Sequence, residues 1–99
     1  MGYNAVAAAD NAVAIGRDAA ANHADSVALG ANSITMVGAQ VAYTGYAVGA
    51  SSSTGEVNIG GRKLTGVAAG EIDSDGVNVS QLKAINSKLD EQRDRKSVV

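Results

Sequence analysis

A short pattern of alternating small and bulky residues occurs twice near the start of the chain. Residues 11–16 (NAVAIG) recur 14 positions later as residues 25–30 (DSVALG), and residues 4–7 (NAVA) form a fainter copy at half that offset. Two strands of about five residues, joined by two tight turns, fill such a repeat. The pattern therefore predicts a stack of flattened β-solenoid coils with Gly16 and Gly30 at the corners.

The two faces of each predicted strand differ in side-chain size. Alternation sends Val13 and Ile15 to one face and Ala12 and Ala14 to the other, and the second copy repeats this with Ala28 on the small face. We expect the bulky face to fill the inside of the coil. The small face would then let a neighbouring chain approach closely.

Two other folds compete with the roll. Residues 5–9 are rich in alanine, a strong helix former, which favours a helix. The six-residue spacing of Ile15, Ala21 and Val27 is typical of a left-handed β-helix acyltransferase, although this period fails at Ser33. A roll with 14 residues per coil would exclude the acyltransferase fold.

Residues 34–54 interrupt the repeat. Residues 41–48 (VAYTGYAV) alternate, but tyrosine stands where the repeat has valine. Residues 51–55 (SSSTG) form a short polar loop, and residues 56–59 (EVNI) alternate again before two glycines. We expect transition strands here, with an inserted hairpin or a change of register.

Spacing typical of a helix begins in the last quarter of the chain. Leu82, Ile85, Leu89 and Gln92 follow one another at intervals of three, four and three residues, which is the spacing of a heptad seam. An acidic or hydroxyl side chain within residues 73–75 is expected to cap this helix. The sequence therefore predicts the start of a coiled coil.

The composition limits what one copy of the chain can bury. It has no Phe and no Trp, and Ala and Val carry most of its 45% hydrophobic content. Folding costs about 1.5 kcal/mol per residue in conformational entropy, and burial of so few bulky side chains offsets little of this cost. The composition therefore favours a core that is shared between copies of the chain. The net charge of −2 gives no electrostatic footprint for nucleic acid.

Few residues indicate catalysis or metal binding. The chain has no cysteine, which excludes disulfides and thiolate metal sites. Residues 71–76 (EIDSDG) imitate the opening of a calcium loop, but the twelfth place is Leu82, where a bidentate Glu is needed. His23, the only histidine, is expected to face solvent in a turn. We expect no cofactor and no metal.

The sequence also contains no recognisable membrane-spanning segment or signal peptide. No apolar stretch is long enough to span one, and the N-terminus lacks the basic and apolar segments of a signal peptide. If the parent protein is secreted, we expect this chain to be an excised segment whose membrane anchor lies beyond it.

Two motifs resemble one known family, the trimeric autotransporter adhesins. Residues 26–30 (SVALG) match the short motif of that family's head repeats, and residues 62–70 (RKLTGVAAG) with residues 75–82 (DGVNVSQL) are similar to its neck signature. One departure is Gly76, where the family usually has Ala, and we expect it to loosen the first helical turn.

The resemblance implies a mostly β fold: a left-handed parallel β-roll trimer, followed by a neck and a short trimeric α-helical coiled coil. We expect head repeats in residues 1–38, inserted strands in 39–61, the neck in 62–82 and the start of the stalk in 83–99. The expected trimer interface comprises Ala12, Ala14, Ala28, Leu82, Ile85 and Leu89. The expected neck contacts comprise Arg62, Val67, Asp75, Asn78 and Gln81, of which the four polar residues are expected to form contacts between chains.

The resemblance also implies a function. We expect a non-enzymatic homotrimer on the bacterial cell surface, anchored in the outer membrane by a part absent from this chain. It would attach the cell to extracellular matrix proteins or host cells. The alternative is a structural spacer and trimerisation module without its own ligand site. The acyltransferase, with His23 as its base, is the remaining enzyme hypothesis.

Overall fold

The structure is a computed structural model that describes residues 1–97, with side chains through residue 94. The last two residues of the predicted stalk lie outside the described residues. The chain forms two compact units, Met1–Arg62 and Lys63–Val99. The first contains seven strands and the second one helix among the described residues.

The first unit is a stack of short parallel strands with one antiparallel hairpin. Its strands are β1 (Val6–Ala7), β2 (Val13–Ile15), β3 (Ala20–Ala21), β4 (Val27–Leu29), β5 (Gln40–Gly45), β6 (Gly49–Ser53) and β7 (Val57–Asn58). One sheet has the order β1-β3, and a second has the order β2-β4-β7. The remaining pair, β5 and β6, is antiparallel.

The strand register confirms the coil predicted from the repeat. Val13 pairs with Val27 and Ile15 with Leu29, both parallel and 14 residues apart. A helix in this region is therefore wrong. A left-handed β-helix built on six-residue turns is also wrong, because the coil closes after 14 residues.

The coil turns at residues that tolerate a left-handed backbone. Five Asn or Asp residues, each seven positions after the previous one, have φ between 57° and 63°: Asn4, Asn11, Asp18, Asp25 and Asn32. Asn and Asp adopt this conformation more readily than other non-glycine residues. Gly16 and Gly30 also have positive φ, as expected for corners. Each half-coil is thus seven residues long.

The inside of the coil is filled by small side chains, so the expected orientation of the strands is wrong. Ala14 is 6% exposed and Ala28 is fully buried, whereas Val13, Ile15 and Leu29 remain 39–43% exposed. Half-coils of seven residues bring the two sheets too close for valine or leucine between them. Buried alanine and hydroxyl residues form the interior instead: Ala14, Ala19, Ala21, Ser26, Ala28, Ser33 and Thr35.

The hairpin is inserted into the third coil. Strands β5 and β6 are followed by β7, which returns to the roll and pairs Val57 with Val27. The register shifts between Gln40 and Tyr43, and Ala42 has a φ of 55° at this bulge. The expectation of inserted strands in this region agrees with these elements.

The second unit contains the helix α1 (Val79–Ser97). Asn78 caps it, not a residue within 73–75 as expected, because its Oδ1 accepts a hydrogen bond from the Gln81 amide at 3.2 Å. Gly76 lies before this cap, so the expectation that it loosens the first helical turn is also wrong.

Candidate trimer interface

Bulky aliphatic side chains cover the outside of the β2-β4-β7 sheet. We call this set the outer aliphatic face: Val13, Ile15, Val27, Leu29 and Val57. It arises because alternation places alanine inside the coil and valine, isoleucine or leucine outside. Ala14 and Ala28 are enclosed in their own chain, so they cannot form the expected contact with a neighbour. Ala12 is half-buried and packs against the interior.

The outer aliphatic face has the composition of a surface that is covered by protein. Three strands place their bulky residues in parallel register, so the exposed side chains form one contiguous patch. Contiguous apolar patches on a soluble protein mark interaction sites, because leaving each aliphatic side chain in water forgoes about 1.5–3 kcal/mol. This patch is suited to pack against another copy.

The helix carries a second exposed apolar row, formed by Leu82, Ile85 and Leu89 as expected. We call it the helical seam. These side chains are 51–64% exposed, and their three-and-four spacing places them on one side of α1. Val77 and Ala84 line an open groove beside Leu82 and Ile85. A single helix of this kind gains little from its own chain, so the row is suited to a coiled coil.

The neck residues Asn78 and Gln81 form a reciprocal capping box at the start of α1. The Gln81 Oε1 accepts the Asn78 amide at 3.2 Å, while the Asn78 Oδ1 accepts the Gln81 amide. The Gln81 side chain also makes two hydrogen bonds of 2.9 Å to the backbone of Gly70. The Asn78 Nδ2 donates to the Val67 carbonyl at 3.0 Å. Together these bonds fasten the neck loop to the helix.

The Asp75 carboxylate closes the loop before the cap. Its Oδ2 accepts the amides of Glu71 at 2.9 Å and Ile72 at 3.2 Å. These hydrogen bonds lower the pKa of Asp75, against a smaller opposing effect of desolvation. The bonds of Asp75, Asn78 and Gln81 described here lie within one chain. Contacts of these residues between chains therefore stay a prediction.

Arg62 holds the last coil together. Its Nη2 donates to the Ala31 carbonyl at 2.9 Å, and its Nη1 donates to the Ile59 carbonyl at 3.1 Å and to the Ser33 Oγ at 3.3 Å. The guanidinium lies against Gly30, where an added Cβ would come within 2.7 Å of it. Arg62 thus acts inside its own roll, and its expected contact with a neighbouring chain also stays a prediction.

Glu56 is a structural residue that the sequence did not single out. Its Oε1 accepts the amides of Val37 and Gly38, each at 2.6 Å, and its own amide donates to the Ser26 Oγ at 3.1 Å. Burial raises the pKa of Glu56, but hydrogen bonds from the amides of Gly38, Val37 and Met36 outweigh it, so the pKa is lowered. One feature of the sequence could have indicated this role: Glu56 is the first charged residue after the long uncharged stretch of residues 26–55.

His23 supports the same region and does not face solvent as expected. It is half-buried, and its Nδ1 lies 2.8 Å from the Thr35 Oγ1. That hydroxyl accepts the Asn22 amide at 3.0 Å. Gly38 packs against the ring, since a Cβ there would lie 2.9 Å from the His23 Cγ and 3.0 Å from its Cδ2. His23 thus braces the base of the hairpin.

Two glycines of the neck are expected to respond in opposite ways to alanine. At Gly76 an added Cβ would lie 4.0 Å from Val67, and the backbone needs no positive φ, so Gly76→Ala should stabilise each chain by about 0.5–1 kcal/mol. At Gly70 the Cβ would meet the Gly76 carbonyl oxygen at 2.5 Å, so Gly70→Ala should destabilise. Urea unfolding of both variants measures this; equal shifts would contradict the described neck.

The lowered pKa of Glu56 predicts a pH-dependent contribution to stability. A depressed folded-state pKa means that the contribution is present above the ordinary glutamate range, about pH 4.3, and is lost as the pH falls through the folded pKa. Glu56→Gln should lower the thermal midpoint at pH 7, and the difference from wild type should shrink as the pH falls through the lowered folded-state pKa. Glu71→Gln, at an exposed glutamate, is the control and should not change the midpoint. A pH-independent difference for Glu56→Gln would contradict this role.

Within residues 1–97, no helix combines the length and the apolar character needed to cross a lipid bilayer.

A roll with an apolar outer face is thus followed along the chain by a capped helix with an exposed apolar row. Residues 63–99 match the family described as the coiled stalk of trimeric autotransporter adhesin, and residues 1–19 and 7–33 match two copies of the YadA head domain repeat. The chain belongs to the trimeric autotransporter adhesins.

Two curated relatives are named as autotransporter adhesins. The trimeric autotransporter adhesin AtaA of Acinetobacter sp. strain Tol 5 is 51% identical over 45 residues, which are 39% of this chain and 1% of that protein. The autotransporter adhesin EhaG of Escherichia coli O157:H7 is 43% identical over 60 residues, which are 56% of this chain and 4% of that protein. The chain thus spans a small part of these relatives.

A solved structure supports the fold over most of the chain. The C-terminal YadA-like domain of a Burkholderia pseudomallei protein is 34% identical, with a TM-score of 0.70. The match covers 88% of this chain and 48% of that one. It agrees with the head, neck and stalk resemblance found in the sequence.

Proposed function

We propose that this chain is part of a homotrimeric, non-enzymatic adhesin on the bacterial cell surface, whose copies join through the outer aliphatic face and the helical seam. The observation that carries the proposal is the exposure of Val13, Ile15 and Leu29 around a core of alanine and hydroxyl residues. The relative AtaA and the matched stalk family, both described as trimeric, support three as the number of copies.

In the proposed trimer the three rolls pack side by side and are left-handed, and the three helices continue as a left-handed coiled coil. The outer aliphatic faces meet around the trimer axis, and each helical seam inserts between the other two helices. Because the interior of each roll is made of small residues, the shared interfaces supply most of the bulky apolar burial. One copy alone would lack a comparable core.

The adhesive function follows from this arrangement. Each trimer presents every surface site three times, and one cell would carry many trimers. The avidity of the whole cell for a surface can therefore be high even when each single contact is weak. We propose that the ligands are extracellular matrix proteins or host cell surfaces. The trimer would reach them from the outer membrane, to which another part of the parent protein would anchor it.

A spacer without its own ligand site is the second candidate. It is favoured by the neck, where the side chains of Asn78 and Gln81 form hydrogen bonds that fasten a loop to the helix. It is also favoured by the small share of the relatives' length that this chain spans. In that case the parts of the protein outside this chain would hold the ligand sites.

Binding of the isolated chain to coated surfaces separates the two candidates. We expect the purified trimer to bind surfaces coated with collagen, fibronectin or laminin, or cultured cells, above the level of an albumin coat. The matched control is the Ile85→Asp variant, which should lose trimerisation and with it the avidity. If the trimer binds no better than to albumin while a longer segment of the parent protein does bind, the spacer function is correct.

A further inference from the structure

The hairpin formed by β5 and β6 lies in a stretch without any charge. Between Asp25 and Glu56 there is no Asp, Glu, Lys, Arg or His, although 18% of the whole chain is charged. Solvent-facing hairpins keep charged or proline residues at their edges, because unprotected edges pair with other chains. This hairpin has neither, so its edges are unprotected wherever water reaches them.

Large apolar side chains on the hairpin have no cover within their own chain. Tyr46 is 98% exposed at the tip, Val41 is 86% exposed and Val48 is 78% exposed. A two-stranded hairpin is at best marginally stable in water, and this one has no third strand. A surface of this kind is normally completed by protein packed on it.

The hairpin is nevertheless held in one place and one shape. Its base is fixed by the two amides that donate to the Glu56 carboxylate. Across its bulge, the Ser53 and Ser52 hydroxyls accept the amides of Gln40 at 3.1 Å and Ala42 at 3.0 Å. A positioned hairpin loses less conformational entropy when it docks than a mobile loop would.

We propose that each hairpin docks on a neighbouring copy of this chain within the trimer and covers part of that copy's roll. The proposal rests on the homotrimer of the proposed function. Continuity with its interface supports the choice of partner: the chain runs from the hairpin through Glu56 directly into Val57, which belongs to the outer aliphatic face. The hairpin also carries no charged side chain whose desolvation would oppose the contact.

A photo-crosslinking residue at position 46 tests the contact itself. The variant is purified as a trimer from a mixture of light and isotope-labelled chains, and crosslinked peptides are identified by mass spectrometry. We expect mixed light and heavy crosslinks between position 46 and residues of the roll. Crosslinks confined to one chain, or none, would overturn the proposal. Crosslinks formed only when a matrix protein or cell is added would show that the hairpin binds a host partner instead.

A charge substitution gives an independent readout. Tyr46→Glu should lower the thermal midpoint of the trimer by about 5 °C or more, because each trimer would hold three unpaired carboxylates at the contact. Thr54→Glu, outside the hairpin strands, adds the same charge and should leave the midpoint nearly unchanged. An unchanged midpoint for Tyr46→Glu would contradict the docking. A wild-type chain that is not trimeric would instead contradict the proposed function.

Discussion

Replacing Ile85 with aspartate should abolish trimerisation of the chain at micromolar concentration. Ile85 is 63% exposed in one chain and lies in the middle of the helical seam. In the trimer, three isoleucines would lose about 1.5–3 kcal/mol of burial each, and three carboxylates would be desolvated at a cost of several kcal/mol each. A total of about 10 kcal/mol or more lowers the association constant by more than a millionfold.

The matched control is Ser87→Asp, which places the same charge on α1 away from the helical seam. Ser87 is exposed, so this variant should remain trimeric. Sedimentation equilibrium of both variants at several concentrations measures the effect. A trimer that persists in Ile85→Asp, or that is lost equally in both, would contradict the coiled-coil role of the seam.

Replacing Ala28 with leucine should disrupt the roll. Ala28 is fully buried in the middle of the β2-β4-β7 sheet, where it pairs with Ala14 on one side and Asn58 on the other. The added carbon atoms have no space inside the narrow coil, and overpacking of this kind costs about 1–3 kcal/mol per chain. Because the trimer contains three copies, its thermal midpoint and its β-sheet circular dichroism should both fall.

Val27→Leu is the control for this prediction, since the neighbouring side chain points out of the same strand. Val27→Leu adds one methylene at the proposed trimer interface, whereas Ala28→Leu adds three carbon atoms inside the narrow coil, so Val27→Leu should cost less per chain. The expectation drawn from the sequence reverses this ranking, because it placed valine inside the coil and alanine outside. Greater damage from Val27→Leu than from Ala28→Leu would contradict the described interior.

The repeat in the sequence was sufficient to predict the coil. Identical residue types recur at Val13 and Val27, and the structure pairs them in the same parallel sheet. The seam was equally readable, because Leu82, Ile85 and Leu89 keep their spacing whatever surrounds the helix. Such periodic patterns can be recognised in the sequence because each is set by the geometry of a single strand or helix.

Features that depend on the packing of several elements could not be predicted from the sequence in the same way. Alternation separates Ala28 from Leu29 but does not say which face is inside, and that choice depended on the width of a seven-residue half-coil. The seven-residue spacing of Asn and Asp in the sequence corresponds to the length of a half-coil. These residues are recognised as corners only from the positive φ angles that the structure gives them. Similarly, the Glu56 carboxylate meets Val37 and Gly38 only because the hairpin loops out between them.

The mass of the particle in solution tests most directly whether three copies share the outer aliphatic face and the helical seam. Multi-angle light scattering of the purified chain, whose single copy has a mass of 9.9 kDa, should give about three times that value at micromolar concentration. A stable particle with the mass of one copy, and with its strands still folded by circular dichroism, would contradict the account.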